Sequence, residues 1–285
     1  MPRLNSGQPS VTAWKVALRR AAHQIADRPP VFDDPLAIRI LGPEGDVYAR
    51  EPKLAGSGPV ARSLRPFMAM RSRYAEDRLA AAYEAGVRQY LVLGAGLDTF
   101  AYRNPWPDLK VFEVDHPATQ DWKRGRLAEA DIAIPDSLTF APVDFQAQTL
   151  SDGLAAAGFD AGAPAFVSWL GVIYYLTEEM AFDTLGVIAA FPAGSEIVFD
   201  FPVVREELGF IARLAVDAVA ARVALAGEPF RSSYSPDALE ARLRGLGFSE
   251  TAVLGAPELN RLYFDDRADG LKLHGAAARI MRARV

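Results

Sequence analysis

The stretch Tyr90-Leu91-Val92-Leu93-Gly94-Ala95-Gly96-Leu97-Asp98-Thr99 decides how the rest of the chain is read. An apolar run that ends in a pair of glycines describes a strand buried on both faces and then a tight turn. Glycine lets the backbone reverse there and lets a ligand approach it closely. A bare G-x-G also fits a plain strand-to-helix turn, so its weight depends on what flanks it.

Downstream the same pattern repeats. Val111-Phe112-Glu113-Val114 closed by Asp115, Leu138-Thr139-Phe140-Ala141 leading to Asp144, Ala165 to Leu170, and Glu196 to Asp200 read as four more strands. Helical periodicity fills the gaps over Pro117–Ala130, Gln146–Ala157, Thr177–Ala190 and Val203–Ala226. Ser235-Pro236-Asp237-Ala238 has the form of an N-cap followed by proline and starts a helix to Leu246. Glu250–Leu254 and Ala277–Arg284 are the last strand candidates. Five strand–helix repeats with short links predict an α/β protein built on a doubly wound parallel sheet.

Upstream of Val87 the pattern is helical. Trp14, Ala17, Leu18, Ala21, Ala22 and Ile25 recur at three-four spacing after Ser10, a suitable N-cap, and Pro29-Pro30 stops that helix. Phe32-Asp33-Asp34-Pro35 predicts a turn that starts another helix with Pro35 in its first position. Gly42 to Pro59 reads as irregular, and a long helix fills Pro59 to Tyr83, ending at Gly86. The expected organisation is an N-terminal helical cover over 1–86 and a core over 87–285. A helical insertion is expected at about 203–234, the whole forming one compact unit.

Composition narrows the function. Half of the 285 residues are hydrophobic and 24% are charged, as in globular proteins rather than disordered chains. There is no cysteine, which excludes disulfides, zinc–thiolate sites and a cysteine nucleophile, and no metal site is expected. No apolar run reaches the ~18 residues a membrane span needs. Met1 to Ser10 is polar and carries Pro2 and Pro9, unlike a signal peptide, so a cytoplasmic protein is expected. The net charge of −5 divides into +5 over residues 1–90 (14 basic, 9 acidic) and −10 over 91–285 (17 basic, 27 acidic). The basic residues are scattered rather than run together, and no aromatic-basic stacking module is present. A small-molecule substrate is therefore the expected partner, not nucleic acid or membrane. Oligomeric state is not legible.

Ligands of such sheets bind beyond the carboxyl ends of the strands, where strand order reverses. Four places qualify. One is the glycine loop, Gly94-Ala95-Gly96 with Asp98. Asp115, ~20 residues further on, either accepts the hydroxyls of a ribose or caps the helix before Pro117. Asp144-Phe145 offers a carboxylate for an adenine amine and a ring-sized apolar neighbour. Arg71 and Arg73 offer guanidinium clamps for a carboxylate, but residues two apart on a helix face opposite ways. Arg71 is three or four positions from Phe67, Met68 and Tyr74, an inward face, whereas Arg73 is four from Ala69 and Asp77.

A dinucleotide and a methyl donor both fit this frame. Thr99 stands where a dinucleotide fingerprint wants a third small residue. About 87 residues precede the first strand, and Glu178 and Glu179 follow Tyr174 and Tyr175 where a Tyr-x-x-x-Lys oxidoreductase needs lysine. The balance favours S-adenosylmethionine.

Several motifs then act together: Thr12-Ala13-Trp14, Phe32-Asp33-Asp34-Pro35, Met70-Arg71-Ser72-Arg73-Tyr74, Val92 to Thr99, Glu113-Val114-Asp115-His116-Pro117, Val143-Asp144-Phe145 and Trp169 to Thr177. The chain resembles the leucine carboxyl methyltransferase family, specifically its bacterial S-adenosyl-L-methionine-dependent branch, from about Val11 to Thr177. The resemblance implies a class I methyltransferase (Rossmann-like) sheet of seven strands, the last antiparallel, with S-adenosyl-L-methionine as cofactor. It implies that an arginine of Arg71-Ser72-Arg73 holds the donor's methionine carboxylate beside Gly94, Ala95, Gly96 and Asp98. Asp115 would take the ribose, Asp144 and Phe145 the adenine, and the strand-four motif would add Trp169 and Leu170. Many members carry glutamate where Leu170 stands, so that glutamate's role does not transfer.

Methyl transfer from a sulfonium is an in-line displacement that chiefly needs alignment and exclusion of water. A carboxylate acceptor needs no base, whereas a hydroxyl does. The histidines are His23, His116 and His274. His23 either reaches the acceptor from the first helix or sits in the core, and His116 caps or packs. Tyr174 and Tyr175 either donate to the acceptor or pack at a strand end, and Arg205 and Arg231 either pair an acidic substrate or face solvent. The expected activity is O-methylation of a carboxylate or hydroxyl of a small molecule. The alternatives are a nicotinamide oxidoreductase and a catalytically idle donor-binding protein.

Overall fold

The computed structural model describes residues 11–55, 58–144, 148–225, 229–275 and 277–285. Seven strands form its sheet: β1 (Gln89–Leu93), β2 (Lys110–Asp115), β3 (Leu138–Pro142), β4 (Phe166–Trp169), β5 (Glu196–Pro202), β6 (Glu250–Leu254) and β7 (Ala278–Arg284). Their order is β3-β2-β1-β4-β5-β7-β6. The first five run parallel, and β7 lies antiparallel between β5 and β6. This is the class I methyltransferase sheet. Strand order reverses between β1 and β4, which opens the crevice where such sheets bind ligands.

The central strands are largely apolar on both faces, and helices cover both. Leu91, Leu93, Val114, Val167 and Phe199 pack on one face with Leu154 of α6 (Leu150–Ala156), Leu185 of α7 (Glu178–Ala189) and Leu243 of α9 (Pro236–Leu246). Tyr90, Val92, Val111 and Val198, at the alternate positions, pack on the other with Met70, Tyr74 and Leu79 of α4 (Pro59–Glu84). Leu259 of α10 (Ala256–Tyr263) completes that side. The cover is a third cluster, in which Ala17, Leu18 and Ala21 of α1 (Val11–Ala26) meet Leu97 and Leu127 of α5 (Pro117–Glu129).

Helix α4 is riveted to β5 at two points. Arg71 pairs with Asp200 at 2.8 Å, and Arg78 grips Glu196 through two bonds of 2.8 and 2.9 Å. Seven residues of helix rise ~10.5 Å and four of strand ~13 Å, so α4 runs antiparallel along β5 and both pairs close. A second latch holds the cover. His23 Nδ1 donates to Asp27 at 2.7 Å, while its Nε2 accepts the Val31 N–H at 2.9 Å. Arg65 donates twice to Asp27, each at 2.7 Å, and once to the Leu54 carbonyl.

Several expectations need correction. Pro35 opens a turn followed by a 3-10 segment, Arg39–Leu41, rather than an α-helix. Asp34 caps this turn, its Oδ1 accepting the Leu36 amide at 3.1 Å, while its Oδ2 accepts from Arg20 and Thr99, each at 2.7 Å. Gly42 to Pro59 is not irregular throughout, because it holds α2 (Gly42–Ala49) and α3 (Pro52–Ala55), each with proline in its first turn where no amide hydrogen is needed. After β5 comes a 3-10 turn, Arg205–Glu207, and α8 (Phe210–Leu225) starts only then. A further helix, α10, follows β6, and Glu258 reaches back to the Gly255 amide at 3.0 Å to start it. Ser10, Gln146 and Ala226 lie outside the described residues.

Candidate active site

The glycine loop is fixed by its neighbours. Gly94 and Ala95 both donate to the Val114 carbonyl, at 2.8 and 3.1 Å, so the turn is tied to β2. Gly94 has φ +66°, and a Cβ there would stand 2.3 Å from Val172 Cγ2. Only glycine serves at that position, on conformation and on space. Ala13 of α1 covers Gly96, so the cover lies directly over the loop. Asp98 accepts the Phe100 amide at 2.8 Å and faces Arg20 at 3.6 Å.

Asp115 ends β2 and stitches it to this loop. One oxygen accepts the Gly96 N–H at 2.6 Å and the other the His116 N–H at 2.7 Å. Burial raises its pKa, and these amide bonds work against that rise. The helix cap is His116, whose Nδ1 accepts the Ala118 amide at 3.2 Å. The Thr119 side chain also hydrogen-bonds this carboxylate, so Asp115 is left with one further lone pair for a ligand. Asp144 lies half-buried just beyond β3, next in line from Asp115 across the strand ends. Phe145 lies outside the described residues.

Arg71 and Arg73 face opposite ways. Arg71 is buried against β5, whereas Arg73 is exposed, pairs with Asp77 and lies over the Tyr263 ring. The carboxylate facing Arg71, Asp200, is fully buried and accepts three bonds: Arg71 Nη1 at 2.8 Å, the Gly171 amide at 2.6 Å and the Tyr174 hydroxyl at 3.0 Å. Burial, and then the charge of Asp200, push the Tyr174 phenol well above its ordinary pKa. The Tyr174 and Tyr175 rings lie 5.5 and 5.8 Å from the Phe230 ring. The segment carrying Phe230 is strapped down, because the Arg231 amide donates to the Tyr174 carbonyl at 2.7 Å.

The structure therefore brings Arg71, Gly94, Ala95, Gly96, Asp98, Asp115, Asp144, Tyr174 and Tyr175 to the strand ends around β1, β2 and β4. It does not bring all candidates there. His23 is fully buried in the cover latch with both ring nitrogens engaged, so it does not reach an acceptor. Arg73 is on the outer face. Trp169 and Leu170 do lie at these ends, closing β4, but Trp169 is buried against Phe199 on the α7 side of the sheet and Leu170 packs on the α4 side. Arg205 pairs with Asp217 on the surface, and Arg231 is exposed.

Some polar residues here escape a reading of the sequence. Arg20 donates to Asp34 at 2.7 Å and to Thr99 at 2.9 Å, which couples α1 to the residue after the glycine loop. Burial would raise the pKa of Asp34, but Arg20 and Arg103 hold it down. Glu113 and Lys123 form a buried pair at 2.6 Å, and burial pushes Glu113 up to about 7 against the pull of Lys123. Asp200 had a usable signal: like Asp115, it is an acid closing an apolar strand run.

This crevice is lined by a turn open to close backbone approach, an acceptor carboxylate and a buried guanidinium. A nucleoside joined to an amino acid presents matching groups. Residues 13–189 match the leucine carboxyl methyltransferase family. YktD of Bacillus subtilis (strain 168), named as an S-adenosyl-L-methionine-dependent methyltransferase, is 32% identical over 294 residues, which cover 94% of this chain and 95% of YktD. A protein of Parafrankia sp. (strain EAN1pec) named to the same class is 37% identical over 175 residues, 60% of this chain and 54% of that protein. In fold, the chain is similar to a crystal structure named as a methyltransferase from Thermobifida fusca YX. The TM-score is 0.60 over 99% of this chain and 96% of that one, at 19% identity. No helix among the described residues is long and apolar enough to cross a membrane.

Proposed function

Because the chain belongs to the leucine carboxyl methyltransferase family and is an S-adenosyl-L-methionine-dependent methyltransferase, we propose that it methylates a carboxylate oxygen of a small-molecule acid. The donor supplies a methyl group on a sulfonium, activated without help from the protein. Arg71 would hold its carboxylate, the glycine loop its amino-acid chain, Asp115 its ribose hydroxyls and Asp144 its adenine amine.

The observation that carries the carboxylate reading is the engagement of four candidate bases, His23, His116, Asp115 and Asp200. His23 is locked into the cover, His116 caps α5, and the oxygens of Asp115 and Asp200 already accept amide, guanidinium or phenol hydrogens. A carboxylic acid, with a pKa of ~4, is ionised at neutral pH and attacks without a base, whereas a hydroxyl would need one. What remains for the protein is alignment and the exclusion of water. Val172 over Gly94 and Ala13 over Gly96 supply cover of that kind. Tyr174, Tyr175 and Phe230 form the nearest apolar wall for an acceptor's body. The partner on this reading is a small molecule and not a nucleic acid.

Methyl-labelled donor incubated with panels of carboxylic acids, alcohols and phenols tests the proposal. A methyl ester releases its label as volatile methanol in mild alkali, and an ether does not. Volatile label from an acid is the expected result. Label that stays alkali-stable, on a hydroxyl or amine, would overturn it.

A further inference from the structure

We infer that Asp200 is a positioning residue for the donor's amino-acid end, holding Arg71 in the attitude that receives its carboxylate. The inference rests on the reading of Arg71 as the donor clamp. Asp200 is fully buried in the carboxyl half of β5, two residues before its end, and no other acid is paired with Arg71 among the described residues. Its three donors come from α4 through Arg71, the turn after β4 through Gly171, and the following 3-10 turn through Tyr174.

The fit between these segments is close. Gly171 has φ +75°, and a Cβ there would lie 2.9 Å from Arg71 Nη1 and 3.0 Å from Nη2. The Nη1–Nη2 edge of the guanidinium thus abuts the turn that Asp200 anchors. Arg71 meets Asp200 through Nη1 alone, and its fork carries further donors for a second carboxylate. A guanidinium buried without a counter-charge would be costly, so Asp200 balances Arg71 and holds it stationary before the donor arrives. A carboxylate placed to orient a cation, rather than to touch substrate, accounts for all three bonds.

A merely structural role would weaken every ligand alike. A positioning role weakens only ligands that carry the amino-acid end. The probes are S-adenosylhomocysteine, which has that end, and 5′-methylthioadenosine, which keeps the nucleoside and sulfur but lacks it. Calorimetric Kd values would be compared for wild type, Asp200→Asn and Arg71→Gln, with unliganded melting as a check of folding. Asp200→Asn keeps an oxygen for Gly171 and loses the charge. It is expected to weaken S-adenosylhomocysteine at least ~10-fold and methylthioadenosine less than ~2-fold, from the range for hydrogen bonds to charged groups. If Asp200→Asn does not fold, Asp200→Glu, which keeps the charge but shifts it, is expected to give the same selective loss. Equal losses on both probes, or no loss on S-adenosylhomocysteine while Arg71→Gln shows one, would overturn the role of Asp200 alone. An Arg71→Gln protein that binds both probes normally would overturn the clamp and the inference together.

Discussion

Arg71 and Arg73 stand two positions apart on α4, and that spacing alone assigns their faces. Phe67, Met68 and Tyr74 around Arg71 mark the inward side, and the structure buries Arg71 there while leaving Arg73 in solvent. The partner of Arg71 was not legible, because Asp200 lies 129 residues away and only the antiparallel run of α4 along β5 joins them. At Asp115 the sequence left a ribose acceptor and a helix cap open, and His116 proves to be the cap. Asp115→Asn keeps one acceptor for the loop and is expected to weaken donor binding by ~1.5–3 kcal/mol in calorimetry. Asp115→Ala would orphan the Gly96 and His116 amides and lower the unliganded melting temperature as well. Gly171→Ala is expected to lose ~1–3 kcal/mol of stability from its left-handed backbone. It should also lose donor affinity, since its methyl would displace Arg71; unchanged affinity would show that the guanidinium has room to move.

Among the elements, the cover was the least legible. The spacing of α1 was plain, and His23 and Asp27 even share one helix face, but Arg65, 38 residues beyond Asp27, gives that pair its meaning. The short helices α2 and α3 escaped because they lie among glycines and prolines that usually mark loops. Burial would raise the carboxyl of Asp27, but its hydrogen bonds to Arg65 and His23 bring it down to about 2. A folded pKa below the unfolded value of ~3.9 contributes stability above about pH 4, and that contribution is lost as pH falls through about 2. At neutral pH Asp27→Asn should cost about 3 kcal/mol in urea unfolding, because it also leaves Arg65 buried without its counter-charge. The gap to wild type should shrink by about half on going from neutral pH to about pH 3. A gap that does not change with pH would mean that Asp27 is not ionised in the latch.

On the scale of the whole molecule, the sheet was legible and its closure was not. Apolar strand runs, each ended by glycine or an acid, give five parallel strands, and the order β3-β2-β1-β4-β5 then puts Gly94, Asp115 and Asp144 side by side. How α1 comes to lie over that row depends on contacts such as Ala13 with Gly96 and Arg20 with Thr99, which spacing does not encode. The central claim is that a donor lies in this crevice with its carboxylate on the inward arginine. Calorimetric titration of S-adenosylhomocysteine into wild type, Arg71→Gln and Arg73→Gln tests it most directly, glutamine being chosen because a glutamate at 71 would face the buried Asp200. Wild type and Arg73→Gln should bind within ~2-fold of each other, and folded Arg71→Gln at least ~10-fold more weakly. Loss of binding in Arg73→Gln alone, with Arg71→Gln unaffected, would contradict the account.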